Sequence, residues 1–241
     1  VNYGLLTSIA LDPIEKKPLA KFYPGSYILS VGSFGCNMTC PFCQNHSISA
    51  MREPDAETRY VAPDELASLA QQYINKNNIG VAFTYNEPLI GYEYVIDTSR
   101  EVKKRGMKTV AVTNGLVLDE VAELLLPWLD AYNIDLKGFT EEGYNKLGGD
   151  LETVKKFIIS ASKAAHVEIT ALIVPGENDG ENEMSELSSW LAGIDRKIPL
   201  HITRFFPRYK MRDRKPTDIG LMRGLKETAD KKLDTVILGN I

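Results

Sequence analysis

Gly80-Val-Ala-Phe-Thr84, followed by Tyr85-Asn-Glu-Pro88, carries the pattern from which the fold reads. A short apolar run of strand length ends in a knot of polar residues, and an amphipathic stretch, Ile90–Lys104, comes next. The same order recurs along the chain. Tyr27–Val31, Thr109–Thr113, Ala131–Leu136, Val167–Val174, Pro199–Arg204 and Thr235–Leu238 also read as buried strands. Between them fall helical stretches with one apolar stripe: a helix opened by Pro63 with Asp64 and Glu65, then Leu118–Leu126, Leu151–Ala165, Glu183–Ile194 and Thr217–Lys232. Val154, Phe157, Ile158, Ala161 and Ala165 form the clearest stripe.

Six consecutive strand–helix units with one closing strand predict a parallel α/β sheet with right-handed crossovers. Either an open doubly wound sheet or an incomplete barrel satisfies that order. The polar signatures decide between them. Thr84-Tyr-Asn-Glu-Pro88, Thr113-Asn-Gly115, Asp135-Leu-Lys137, Val174-Pro-Gly176 and His201-Ile-Thr-Arg204 all end strands, and the long loop 32–62 follows the first strand. An open sheet concentrates function at one switch point, whereas a curved sheet brings every strand end to a common mouth. The reading is therefore a partial (β/α)6 barrel over residues 27–241, preceded by an N-terminal extension over residues 1–26. Val1 and the apolar run before Ile241 suggest a chain trimmed at both ends.

All three cysteines lie in Cys36-Asn-Met-Thr-Cys40-Pro-Phe-Cys43. Three soft ligands on one loop suit a cluster or metal that keeps a coordination position open; a closed zinc site needs a fourth ligand, for which His46 is at hand. An odd count does not fit a disulfide framework. With 44% hydrophobic residues, 25% charged residues and a net charge of −4, the composition suits a globular core and argues against general nucleic-acid or anionic-lipid binding. No apolar run reaches the ~18–20 residues of a membrane span, and a cytoplasmic protein is the expectation.

Asp135 and Lys137, two apart, point to one face, where paired charges at a barrel mouth are costly unless used; Asn133 shares that face. His201 and Thr203 oppose Leu200 and Ile202, which turns His201 inward. Glu87 has a plain alternative role, capping the helix after Pro88. Arg208-Tyr-Lys-Met-Arg-Asp-Arg-Lys-Pro216 carries five basic residues and one acidic, a candidate dock for a phosphate-bearing or macromolecular partner.

The C-x3-C-x2-C spacing resembles the cluster loop of the radical S-adenosylmethionine (SAM) enzymes. That resemblance implies that Cys36, Cys40 and Cys43 hold three irons of a [4Fe–4S] cluster, the fourth being chelated by SAM. Phe42 then occupies the aromatic slot used against adenine. Thr84–Pro88 resembles the Gly-Gly-Glu motif: Glu87 would accept from the SAM amino group, with Tyr85 and Asn86 on extended backbone along the methionine. By similarity to the glycyl-radical-enzyme activases, Thr113 and Asn114 lie near the ribose or carboxylate. Val112 stands where those activases often carry an acidic cation ligand, so no cation site is carried over. Lys137 would neutralise the SAM carboxylate and Asp135 would orient it; Pro175 and Gly176 would support adenine; His201 and Arg204 would face SAM or substrate.

Residues 27–205 resemble the pyruvate formate-lyase activating enzymes most broadly. Leu11-Asp-Pro-Ile-Glu-Lys-Lys-Pro18, Phe22-Tyr-Pro-Gly25 and His201-Ile-Thr-Arg-Phe-Phe-Pro207 resemble the radical SAM member of the AmmeMemoRadiSam system. The implied activity is reductive cleavage of SAM to a 5′-deoxyadenosyl radical that abstracts hydrogen. The substrate would be a glycine of a partner protein or some other molecule, with a flavodoxin- or ferredoxin-type protein as external electron donor. The alternative outside enzymology is a zinc- or iron–sulfur-binding scaffold.

Overall fold

Eight strands join one sheet in the computed structural model, which describes residues 2–52 and 57–241. β1 (Leu5–Leu6) and β2 (Ser8–Pro13) precede β3 (Tyr27–Gly32), and the cysteine loop leads to α1 (His46–Ser49) and β4 (Arg59–Tyr60). Then follow α2 (Pro63–Gln72), β5 (Asn78–Phe83), α3 (Tyr92–Lys104), β6 (Lys108–Thr113), α4 (Asp119–Leu125) and β7 (Ala131–Asp135). The chain continues through α5 (Glu141–Lys146), α6 (Leu151–Ala164), β8 (His166–Ile173), α7 (Glu181–Asp195), β9 (Leu200–Arg204), α8 (Ile219–Asp230) and β10 (Val236–Gly239).

The strand order is β10-β9-β8-β7-β6-β5-β3-β2, with β3 to β10 parallel and β2 antiparallel at the edge. The order never reverses, so every crossover lays its helix on the same side of the sheet. β10 and β2 do not pair with each other, and the result is the partial (β/α)6 barrel the strand ends imply. β1 and β4 form a separate antiparallel pair. Among the described residues no helix is long and apolar enough to cross a membrane.

Alternation along the strands gives the sheet two different faces. Leu29, Val31, Val81, Phe83, Tyr132, Ile134, Ile169, Leu200 and Ile202 meet the helices in the main core. The α6 stripe Leu151, Val154, Phe157, Ile158 and Ala161 lies in it, capped by Asp150 accepting from Thr153 N; Ala165 falls just past the helix. The inner face carries Ile28, Ala82, Val110 and Ala131, which pack on Ile14, Leu19 and Phe22. Within the segment read as an extension, Ser8–Pro13 thus builds the eighth strand, and Ile14, Leu19 and Phe22 fill the barrel's amino-terminal end.

Glu168 fastens this plug: its carboxylate accepts from Ala20 N (2.9 Å) and Lys21 N (2.7 Å) and meets His166 Nε2 (2.9 Å) and His201 Nε2 (2.6 Å). Asn133 Nδ2 donates to Pro18 O (2.9 Å), and Thr170 Oγ1 to Asn133 Oδ1 (3.0 Å).

Candidate active site

The cysteine loop is laced to the end of α5, to the loop after β6 and to its own α1. Thr39 N donates to Leu147 O (2.8 Å), Asn37 Nδ2 to Leu116 O (2.9 Å), and Gly35 N to Ile48 O (3.0 Å). Asn86 holds the loop's start: its Oδ1 accepts from Ser33 N (3.0 Å), and its Nδ2 points to Phe34 O and Gly35 O (both 3.2 Å). That side chain is engaged by the loop.

Within the loop Cys43 N donates to Cys40 O (3.2 Å), so the last two cysteines flank a turn. The three thiols are free, Cys40 buried and the other two half-buried. Met38 N (3.4 Å) and Asn114 Nδ2 (3.7 Å) both point at Cys36 Sγ. Burial pushes the Cys36 thiol up to about 11 and raises Cys40 too. A bound metal reverses this by deprotonating thiols outright, and N–H donors already aimed at sulfur suit that state. His46, the fourth ligand of the zinc reading, stacks on Tyr209 at 4.5 Å. Among the described residues no group of three His, Cys, Asp or Glu side chains is arranged to hold a metal ion.

Glu87 is the hub of the adjoining wall. Oε1 accepts from Leu89 N (3.0 Å) and Thr113 Oγ1 (2.7 Å), and Oε2 from Asn114 N (2.7 Å). Burial outweighs these donors and lifts the carboxyl to about 6. It caps the 3-10 turn Pro88–Gly91, the plainer of its two expected roles. Glu87 is 4% exposed and fixes Thr113 and Asn114. Asn114 reaches on to Asn37 Oδ1 (2.8 Å), and Gly115, at φ 72°, turns where a Cβ would come within 2.8 Å of Ile134. Tyr85 departs from the extended backbone expected of it, at φ 75°. Its hydroxyl donates to Asp12 Oδ2 (2.7 Å) and its ring lies where a Cβ on Gly32 would come within 2.7 Å.

Lys137 Nζ pairs with Asp135 Oδ2 at 3.1 Å. Burial opposes the lysine charge, but the Asp135 carboxylate outweighs it and raises its pKa. Lys137 borders a cavity of ≈ 300 Å³ that Phe42, Leu147, Val174, Asn178 and Met211 also line. Pro175 and Gly176 form the turn beyond it, with Gly176 at φ 76°. Asn178, not singled out in the sequence, ties that turn to the next strand end, donating to Lys137 O (3.1 Å) and Leu172 O (2.9 Å) and accepting from Val174 N (2.8 Å). Its only signal was an Asn two residues past a Pro-Gly. Asn37 and Thr39 were likewise missed, though both sit between the cysteines.

Two expected contacts are not brought to this group. His201 is inward-facing, as its strand alternation implies, but it is bound to Glu168 of β8, which fastens the plug. It lies near the start of its strand rather than the end, so the register directs it to the barrel's other end. Arg204 is turned to the following loop, with Nε donating to Thr217 O (2.8 Å) and the guanidinium over the Phe206 ring at 5.1 Å.

The profile of the Radical SAM superfamily matches residues 30–187. An uncharacterised protein of Methanocaldococcus jannaschii is 36% identical over 244 residues, spanning 100% of this chain and 72% of that protein. Pyruvate formate-lyase 1-activating enzyme of Escherichia coli K12 is 28% identical over 176 residues, 69% of this chain and 71% of the enzyme. Among solved structures, SuiB of Streptococcus suis bound to S-adenosylmethionine superposes with a TM-score of 0.68 at 14% identity, covering 89% of this chain and 52% of SuiB. A domain of pyruvate-formate lyase-activating enzyme from Bacteroides vulgatus gives 0.57 at 18% identity, covering 66% and 98%. By the profile match, which spans more than half of its length, this chain belongs to the radical SAM superfamily.

Proposed function

We propose that the protein cleaves SAM reductively at a [4Fe–4S] cluster held by Cys36, Cys40 and Cys43. The observation that carries the reading is a trio of free thiols on one loop, beside a half-buried lysine and a ligand-sized cavity. When bound, the cluster supplies one electron to the sulfonium of SAM, releasing methionine and a 5′-deoxyadenosyl radical that takes a hydrogen atom from the substrate. The chain's own residues bind and orient. Lys137, kept cationic by Asp135, offsets the SAM carboxylate and the thiolate charge. Phe42 and Val174 give adenine an apolar wall. Thr113 and Asn114, set by Glu87, present polar groups to the ribose or carboxylate side. Asn86, Asn37 and Thr39 keep the cysteines in register.

The test is anaerobic reconstitution with iron and sulfide, reduction in the presence of SAM, and measurement of 5′-deoxyadenosine. Zinc retained in place of a cluster, with no nucleoside formed, would leave a scaffold.

Likeness to the activating enzymes supports a glycine of a partner protein as the hydrogen donor. A second reading, another molecule as substrate, rests on the activase match spanning only 69% of the chain. A stable protein radical, sought by electron paramagnetic resonance after mixing with candidate glycyl-radical enzymes, separates the two. Deuterium carried from substrate into 5′-deoxyadenosine identifies the donor.

A further inference from the structure

We propose that the loop 208–216 is the docking surface for an acidic one-electron carrier protein; the inference rests on the reductive reading above. The loop is built onto the cysteine loop. Lys210 N donates to Pro41 O (3.0 Å), the residue after Cys40. Tyr209 stacks on His46 at 4.5 Å, three residues past Cys43. Met211 is buried and borders the cavity beside Phe42. Arg214 clamps the far side, donating to Pro175 O (2.6 Å) and Glu177 Oε1 (2.8 Å).

These fastenings leave Arg208, Lys210, Arg212 and Lys215 exposed, and among the described residues none of the four has an ion-pair partner. The patch is cationic on a chain of net charge −4, so the rest of the surface repels an extended polyanion. A small acidic globule fits such an isolated patch, because complementary charge steers encounter and sets register. Electron transfer weakens steeply with distance, and this is a surface in backbone contact with the thiol loop. The exchange is balanced: the carrier's reduced flavin or iron–sulfur centre loses one electron, the group on the cysteines gains it, and no atom crosses.

The test reverses three exposed charges together, R208E/K210E/R212E, leaving the Arg214 clamp and Met211 in place. Calorimetric titration of the chain, without added iron, against a purified flavodoxin and a purified ferredoxin should show binding to at least one. That binding should weaken with salt and fall roughly tenfold or more in the triple variant. 5′-Deoxyadenosine formation driven by the reduced carrier should fall by a similar factor, while dithionite-driven formation stays at the wild-type rate. Reversing Lys231 and Lys232, after α8 and before β10, should change neither. Equal binding and equal carrier-driven rates in wild type and triple variant would overturn the proposal, as would tight binding of a single-stranded oligonucleotide with none of either carrier. Wild type that makes no nucleoside even with dithionite indicts the catalytic reading instead, and the titration still judges the surface.

Discussion

Glu168 and Glu87 are both buried carboxylates in one barrel, yet their environments drive them in opposite directions. Glu168 faces two backbone N–H groups and two imidazoles, and these outweigh burial and hold it down to about 2. Glu87 faces two N–H groups and one hydroxyl, and burial wins, lifting it to about 6. The first stands at the amino-terminal end of the barrel, where it ties residues 20 and 21 to β8 and β9. The second stands at the carboxyl end, under the thiols. One end of the sheet is charge-satisfied and serves the fold; the other keeps charge and sulfur in reserve for a ligand, the usual division in parallel barrels.

Cys40→Ala probes that division with the largest expected effect. Iron uptake and 5′-deoxyadenosine formation should fall to background, with far-ultraviolet circular dichroism unchanged. Retention of a full cluster in this variant would dissolve the contrast between the two ends.

Glu168→Ala should do the reverse. It strips acceptors from Ala20 N, Lys21 N and both histidines, and removal of one partner of a buried charged network costs about 3–5 kcal/mol. In a chain of this size the Tm should drop by on the order of 10 °C. Iron uptake by the surviving folded protein should match wild type. An unchanged Tm would show that the plug is held by Ile14, Leu19 and Phe22 alone.

Titration sharpens the same contrast. Glu168, depressed from 4.5 to about 2, stabilises the fold above pH 4.5, and that stabilisation is lost as pH falls through 2. Glu87, raised from 4.5 to about 6, contributes stability below pH 4.5 that is lost as pH rises through 6. Tm measured from pH 2 to 8 should therefore lose part of its acid limb in Glu168→Gln and part of its decline above pH 6 in Glu87→Gln. In Glu87→Gln the amide N–H would oppose Asn114 N, so SAM affinity should also fall about tenfold. Identical pH profiles for both variants would refute the assignment.

What the chain revealed as a sequence follows the same split. Strand periodicity, helix stripes and the cysteine spacing are local patterns, and they led to the parallel order and the thiol loop. The partners of His201, Glu87 and Asn86 are not local. Glu168 lies 33 residues from His201 and 148 from Ala20, so the network exists only once the barrel curls around residues 14–22. Asp135 and Lys137 were legible because two residues on one strand must share a face. Two of Glu87's three donors come from a neighbouring strand end, and a carboxylate read alone cannot announce them.

Tyr85 joins the two ends, and Tyr85→Phe tests that link at the smallest scale. Its left-handed backbone, costly for an aromatic residue, is held from below by Asp12, which Lys17 also grips at 3.0 Å while its ammonium lies 4.6 Å over the phenol ring. From above, Asn45 Nδ2 donates to Tyr85 O (2.7 Å), joining the same residue to the segment after Cys43. Loss of the hydroxyl removes one hydrogen bond to a charged acceptor, about 1.5–3 kcal/mol, and Asp12 keeps both lysines. The Tm should fall by several degrees. If the link also sets the thiol loop, the reconstituted cluster should bleach faster in air than the wild type, although no thiol has been touched. Tyr85→Gly relieves the backbone but removes the ring that fills the space over Gly32, so a variant more stable than Tyr85→Phe would mean that strain, rather than the anchor, dominates at this position.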